Sequence, residues 1–501
     1  MFSQYTGQPA IANPPSKLGA HMPEVQGLPD GTQTIHIMGV GGTAMAALAG
    51  MLVDAGYTVT GSDGNKVSPP MSDYLETLGI SPMEGFNAEN LSHDPDLVIV
   101  GNVVRASYEE AQAVVERDLP FMSFPSLLGA RFLEGKRSIV VAGTHGKTTT
   151  TSIATWLLEA AGRQPGFLVG GVVAGFDRTA RSAQGDHFVI EGDEYDTAHF
   201  DKGPKFLHYR PTTAILTSIE FDHADIYNDL AHCQESFRKL MAIMPEDGCV
   251  VARMDHDAVA EVALEANCEL RRYGPGQAWD GRIDSVDSQR GTMTFTVLCD
   301  GKAWGTFESI MVGEHNLYNQ VAIAAAMDRE GLGPADLEKG FVSFKGIKRR
   351  QEIRGEPGGV TIIDDFAHHP TAVSLTLDAL RLRFGGRRLW AIFEPRSNTS
   401  RRNIFQAAYA EAFDSADITI IADPYNLEGI PEQERMDPEL LVNDIRGRGN
   451  EAFNWPDADG ICTRLTANVQ PEDVVAILSN GGFGGLHKKV IDSLNLRFSD
   501  A

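Results

Sequence analysis

The segment GTHGKTTT, Gly143 to Thr150, constrains this 501-residue chain more than any other. The apolar run Ile139 to Ala142 precedes it, and Ile153, Trp156, Leu157, Ala160 and Ala161 follow. Their i, i+3, i+4, i+7, i+8 spacing predicts one buried helical face, so the loop joins a strand to a helix N-terminus whose amides can hold phosphate. In that setting Lys147 bridges the β- and γ-phosphates of a nucleotide and the Thr148 hydroxyl ligates Mg2+. The general phosphate-loop pattern asks for glycine where Val141 stands. For the segment taken alone, a glycine turn with a solvated lysine is the other reading.

The same grammar recurs along the chain. Short apolar runs, among them Ile35 to Met38, Leu97 to Val100, Phe188 to Ile190, Ala214 to Ile219, Val360 to Ile363, Leu389 to Phe393, Ile418 to Ala422 and Val474 to Leu478, each end in a polar or glycine cluster. This is the pattern of α/β domains with parallel sheets, in which ligands gather beyond the carboxyl ends of strands. The length is enough for about three domains. A basic-ended helical stretch, Leu128 to Arg137, and the run FKGIKRR, Phe344 to Arg350, suggest boundaries giving domains at 32–136, 137–346 and 347–501. Residues 1–31, rich in Pro, Gly and Gln and without a charged start and apolar run, read as a loose tail with no secretory signal.

Charge narrows the partners. With 43 Lys+Arg against 68 Asp+Glu, the net charge of -25 repels nucleic acid, and any phosphate-bearing substrate must be drawn in by local cations, backbone amides or Mg2+. The five cysteines are scattered, with no metal-type pair or CxxC, which suits a reducing cytoplasm. The uncharged stretch Thr32 to Val53 is broken by Gly39, Gly41, Gly42 and Gly50 and contains His36, so no membrane helix is expected there.

That stretch holds a second glycine turn, GVGGTAM, comprising Gly39, Val40, Gly41, Gly42, Thr43, Ala44 and Met45. Gly39, Gly41 and Ala44, with Asp63 19 residues after Ala44, make a dinucleotide-type fingerprint, and a tight strand-to-helix turn is the plain alternative. The physics specifies a diphosphate at a helix N-terminus, which NAD, FAD or a UDP-sugar each supplies. Acidic and histidine clusters trail two later strands: Glu191, Asp193, Glu194 and Asp196, then Asp222, His223 and Asp225. Carboxylates and an imidazole there suit a second Mg2+, and solvated loops are the plain alternative. Asn316 and Asn319 open an alanine-rich helix, where they cap it or bond a base edge. In the last third Arg350, Asp365, Arg396, Arg401 and Arg402 concentrate at strand ends; guanidinium forks suit carboxylate or phosphate, and a solvated helix face is the alternative for the Arg401 and Arg402 pair.

In order and spacing, GTHGKTTT, EGDEYD, EFDHADIY, GEHNLYNQVA, RRQE and DDFAHHPTAV resemble the Mur ligase family of ATP-dependent amide-forming enzymes, from about Thr34 to the C-terminus. The resemblance implies a Rossmann-like N-terminal domain for a UDP-sugar, a P-loop central domain for ATP and a Rossmann-like C-terminal domain. Within the family, EYDTAHFDKGPKF, FDHADIY, FEPRSNTSRR and SNGGFGGLH look most like members that join L-alanyl-γ-D-glutamyl-meso-diaminopimelate to UDP-N-acetylmuramate. The nearer alternative is a ligase that takes L-alanine as the amine. A nicotinamide oxidoreductase is the alternative of another class.

By motif match, Gly143, Thr144, His145, Gly146, Lys147, Thr148 and Thr149 hold the ATP phosphates, Asn316 and Asn319 face the adenine side, and Arg350 and Asp365 reach ATP from the third domain. Lys147, Glu191 and His223 are the implied catalytic set, with Thr148, Glu191 and His223 on Mg2+. The segment Gly39 to Met45, with Ser62 and Asp63, takes the UDP part, and Arg396 and Arg401 take the carboxylates of the peptide. On this reading Lys147→Ala abolishes ligation, which phosphate release from ATP measures directly.

Overall fold

The computed structural model describes residues 24–222 and 226–499. Three sheets follow one another along the chain. The first is wholly parallel, in the order Met83–Glu84, Thr58–Asp63, Thr34–Met38, Leu97–Val100, Phe121–Ser123. Its order reverses direction between Thr34–Met38 and Leu97–Val100, which opens a crevice above their carboxyl ends.

The second sheet has ten strands. Arg137–Ala142 lies at its centre, paired in parallel with Thr213–Leu216 on one side and His187–Gly192 on the other. Residues Ile139 to Ala142 are fully buried because helices cover both faces, which is why this strand reads as a continuous apolar run. Beyond the parallel part, Trp279–Asp287, Thr292–Cys299 and Lys302–Ser309 form an antiparallel meander. The sequence reading did not see these strands, because polar residues alternate along them and no apolar run marks them.

The third sheet runs Glu352–Gly355, Thr361–Asp365, Val474–Leu478, Leu389–Phe393, Ile418–Ile421, Glu451–Asn454, parallel except at its first edge. The chain is thus an α/β protein built on three layered sheets, as the motif pattern implied. One apolar cluster continues from the first sheet into the second, carrying Leu127, Phe132, Phe206 and Tyr209 among its buried members. The uncharged stretch Thr32 to Val53 is a strand, the glycine turn and most of helix Thr43–Asp54. Among the described residues no helix is long and apolar enough to cross a membrane.

Helix Lys147–Ala160, which opens on the phosphate loop, is held by helix Pro334–Ser343. A Cβ on Gly340 would lie 2.3 Å from Leu157 Cδ2 and 3.2 Å from Leu157 Cα, so the two helices approach over bare backbone. Gly340→Ala gains about 1 kcal/mol of helix propensity but overpacks this contact, a cost of about 1–3 kcal/mol that also reaches backbone. The expected net result is a lower thermal midpoint, read by scanning calorimetry.

Candidate functional site

The phosphate loop takes its shape from two glycines. Gly143, at φ 138°, sits where a Cβ would meet Thr217 Oγ1 at 2.2 Å, and Gly146, at φ 82°, presses against Asn319 Oδ1, 2.8 Å from a built Cβ. Ser218 fastens the turn, accepting from Thr144 N through its carbonyl and from His145 N through its hydroxyl, both at 2.9 Å. Val141 lies inside the strand, paired with Ile215 and Glu191 and fully buried. The glycine of the general pattern is therefore replaced by a core residue.

Lys147 Nζ donates to the Gly143 carbonyl at 2.5 Å and to Glu194 Oε2 at 3.0 Å. Burial works against its charge, but Glu194, Asp193 and Glu191 outweigh burial and raise its pKa. Thr148 Oγ1 donates to Glu191 Oε2 at 3.2 Å, and Glu191 Oε1 accepts from Gly170 N at 2.5 Å. Burial and then Asp193 raise the Glu191 pKa, with the Gly170 N–H, Lys147 and Arg350 opposing. A hydroxyl and a carboxylate oxygen about 3 Å apart match adjacent corners of an octahedral Mg2+ site at ~2.1 Å per ligand. The hydroxyl and the carboxylate oxygen fit that ion. His223, the other metal residue expected, lies outside the described residues; its neighbour Asp222 accepts from Thr399 Oγ1 at 2.9 Å.

Residues of the third sheet close over the loop. Arg350 donates to Thr148 Oγ1 at 3.1 Å. Asp365 does not point an open carboxylate at the loop: its oxygens accept from Gln351 N and Ala367 N, both at 2.8 Å, so it shapes the segment that carries Arg350. Burial raises its pKa, with Arg350 as the chief opposing charge. Asn319 packs behind Gly146 and so supports the loop, while Asn316 donates to the Val312 carbonyl at 3.0 Å and accepts from Asn319 at 3.4 Å. His145 Nε2 is 3.4 Å from Glu220 Oε2, which also accepts from Thr371 Oγ1 at 2.7 Å and lies 3.9 Å from His369 Nδ1. The loop, the strand end at Glu220 and the helix Pro370–Phe384 thus meet at one junction.

The second glycine turn lines a cavity of about 580 Å³ in the crevice of the first sheet. Gly39, Gly41 to Met45 and Asp63 are on its wall. Asp63 Oδ2 accepts from Gly41 N at 2.9 Å, so the carboxylate braces the turn. Ser62 is a correction: it is fully buried beneath the turn and donates to Glu110 Oε1 at 2.9 Å, so its hydroxyl faces the interior. Val40 is likewise buried, against Gly61. The sequence reading missed Phe86 and Tyr108, stacked at 5.0 Å on the cavity wall, because no spacing links them. It also missed Thr197 and Lys205, which come from the second domain. Lys205 Nζ is 3.1 Å from Asp193 and lies 3.9 Å over the Tyr195 ring. Lys205 thereby joins the cavity to the carboxylates around Lys147.

Of the arginines expected to meet a peptide, Arg401 is occupied by its own loops. Its guanidinium donates to the Ser397 carbonyl at 3.3 Å, to the Asn426 carbonyl and to Asn398 Oδ1 at 2.5 Å. Arg402 pairs with Glu434. Arg396 has a longer contact, 3.5 Å to Glu394 Oε1.

A phosphate-loop turn at a helix N-terminus, closed over from the third domain and joined to a glycine-lined crevice, is the arrangement of a nucleotide-using enzyme whose site is assembled between domains. Comparison with known proteins narrows the class. Residues 34–134 match the model described as Mur ligase family, catalytic domain; residues 141–327 match the Mur ligase middle domain and residues 349–481 the Mur ligase, glutamate ligase domain. The chain belongs to the Mur ligase family. It is 41% identical to the UDP-N-acetylmuramate--L-alanyl-gamma-D-glutamyl-meso-2,6-diaminoheptandioate ligase of Escherichia coli (strain K12), over 92% of this chain and 98% of that one. It is 33% identical to the UDP-N-acetylmuramate--L-alanine ligase of Salinibacter ruber (89% of this chain, 92% of that one). The crystal structure of a murein peptide ligase from Psychrobacter arcticus is similar with a TM-score of 0.67 and 33% identity, covering 92% of this chain and 99% of that one.

Burial, with His145 adding to it, holds the His369 pKa down to about 4, from an ordinary 6.5. As pH falls from 6.5 towards 4 the unfolded chain takes up a proton that the folded one refuses, so stability is lost in that window. His369→Asn keeps a side chain able to cap helix Pro370–Phe384 and removes this titration. The variant is expected to lose less stability than wild type between pH 6.5 and 4, by of order 3 kcal/mol. Urea titration at a series of pH values measures the difference.

Proposed function

We propose that the chain joins the tripeptide L-alanyl-γ-D-glutamyl-meso-diaminopimelate to UDP-N-acetylmuramate in the cytoplasm, with ATP and Mg2+, and so returns a recycled wall peptide to use. The observation that carries this reading is the path from crevice to phosphate loop: Lys205 lines the cavity and pairs with Asp193, and Glu194 beside it pairs with Lys147. A UDP-sugar seated on the Gly39 turn has its sugar end directed along this path to the γ-phosphate.

A carboxylate is a poor electrophile until one of its oxygens leaves as phosphate. The muramoyl carboxylate oxygen attacks the γ-phosphorus of ATP and ADP departs, giving an acyl phosphate. The peptide's α-amine, as the free base, adds to its carbonyl carbon; the tetrahedral intermediate breaks its bond to the phosphate oxygen, and the one proton the nitrogen gives up goes to the departing phosphate as the amide forms. Lys147 and the N-terminal amides of helix Lys147–Ala160 stabilise charge on the moving phosphoryl group. Thr148 and Glu191, with His223, would hold Mg2+, which supplies neutralisation of the phosphate oxygens. Arg350, reaching Thr148 from beyond the second sheet, brings a further positive charge when the domains are closed. Closure over the loop also keeps water from the acyl phosphate.

A nicotinamide oxidoreductase leaves the phosphate loop without a role. The L-alanine ligase remains the second reading, since relatives of that name align over most of the chain. Phosphate release from ATP, with UDP-N-acetylmuramate and Mg2+ present, separates them. The expected order of amines is tripeptide well above L-alanine, with a condensed product of matching mass. Faster release with L-alanine assigns the chain to the other ligase.

A further inference from the structure

The linker between the second and third sheets, Phe344 to Gln351, borders a cavity of about 350 Å³. Its wall draws on the second domain at Ala174, on the linker itself and on the third domain at Arg383. The charged residues on it are Lys345, Lys348, Arg350 and Arg383 against Glu352. In a chain of net charge -25, that excess of cations is a local reversal of sign. Glu352 is also engaged already: its Oε2 accepts from Arg349 N at 2.8 Å and lies 3.6 Å from the Arg354 guanidinium.

Arg383 gives the cavity its chemistry. Its Nε is buried with no hydrogen-bond partner, and among the described residues the guanidinium makes no ion pair. Burial lowers its pKa, with Glu356 opposing. Arg381, in the same helix turn, shows what an arginine at this helix end otherwise does: it donates to the Ser415 and Arg387 carbonyls, both at 2.9 Å, and to Asp417 Oδ2 at 2.7 Å. Arg383 is held instead against backbone. A Cβ on Gly291, in the turn of the antiparallel meander, would fall 3.0 Å from Arg383 Nε and 3.1 Å from Nη2. A guanidinium taken out of water without a counter-charge is costly to keep, and an anion removes that cost.

The linker side is fixed as well. The Gly346 carbonyl accepts from Ala174 N at 3.1 Å, and Lys348 N donates to the Val172 carbonyl at 3.0 Å, so the linker is strapped to the second domain. Lys345 and Lys348 are exposed, and among the described residues neither ammonium has an ion-pair partner. Gln351 is buried, and its Oε1 has no hydrogen-bond partner. Arg350 sends its guanidinium to Thr148. Arg383 lies near the far end of helix Pro370–Phe384, about 20 Å from the end that meets the phosphate loop. The cavity is therefore separate from the nucleotide site.

We propose that this cavity binds inorganic phosphate, with Arg383, Lys345 and Lys348 donating to its oxygens and Gln351 Oε1 accepting its proton. Hydrogen phosphate carries both the charge the cations need and a hydroxyl to donate, whereas sulfate has the same shape and no proton at neutral pH. Because the donors come from the linker and from the third domain, the anion spans the junction between them. The site does not depend on which amine the enzyme uses.

The full chain is titrated calorimetrically with inorganic phosphate at constant ionic strength, with a non-hydrolysable ATP analogue and Mg2+ filling the phosphate loop. Wild type is expected to bind phosphate saturably. Arg383→Met, and separately the pair Lys345→Gln with Lys348→Gln, are expected to bind it about 10- to 100-fold more weakly, and sulfate is expected to bind wild type about 10-fold more weakly than phosphate. Phosphate is expected to raise the thermal midpoint of wild type more than that of either variant. If Arg383→Met does not fold, the exposed lysine pair carries the test. Absence of saturable binding with the loop filled, or an affinity unchanged in the variants, overturns the proposal. Sulfate binding as tightly as phosphate also overturns it.

Discussion

Everything at the centre of this protein depends on holding the Lys147 ammonium where water is scarce. A buried lysine on its own loses its proton. Here Glu194 lies 3.0 Å away, with Asp193 and Glu191 behind it, and their charge keeps the ammonium protonated. The same carboxylates would expel a triphosphate if they stood alone. Lys205 on Asp193 and Arg350 beside Thr148 bring the cations to three against three carboxylates. Local neutrality inside a strongly acidic molecule is what lets an anion approach, and it is assembled from segments following two strands of one sheet and the junction to another.

That assembly explains why the domains meet where they do. The strand Thr213–Leu216 runs out into residues that touch both partners of the phosphate loop. Ser218 ties the loop turn, Glu220 meets His145, His369 and Thr371, and Asp222 meets Thr399. One short segment therefore reads whether the third domain is docked. Both its carboxylates accept bonds from threonine hydroxyls of that domain, bonds weak enough individually to break for substrate exchange and sufficient together to orient the docked state.

How much of this was legible in the sequence follows from how local each determinant is. The phosphate loop was legible because strand, glycine, lysine, threonine and helix are adjacent in the chain. The Gly39 turn was legible as a strand, glycine turn and helix for the same reason. Ser62 failed because alternation in a parallel strand covered on both faces does not tell which polar side chain is turned inward, and Glu110, its partner, is 48 residues away. Phe86, Tyr108 and Lys205 left no signal, since three separate segments bring them to one wall. The antiparallel meander from Trp279 to Ser309 escaped a search for apolar runs because its strands alternate. Arginines were correctly seen to gather after Leu389–Phe393, but spacing does not say which guanidinium is consumed by its own loop. Arg401 is, through carbonyls 25 residues off and nearby.

The turn from Arg396 to Ser400 ties the third domain to the second. Arg396 and Thr399 stand at two ends of a turn closed by the Ser400 hydroxyl, which bonds both Arg396 N and Ser397 N. Thr399 faces the second domain through Asp222 and Arg396 rests against the loop after Val474–Leu478. A rigid turn of this length cannot shift one end without the other. Thr399 and Thr371, on separate segments of the third domain, thus both fasten the segment that follows Thr213–Leu216. Holding that segment against the phosphate loop is what keeps water from an acyl phosphate formed there.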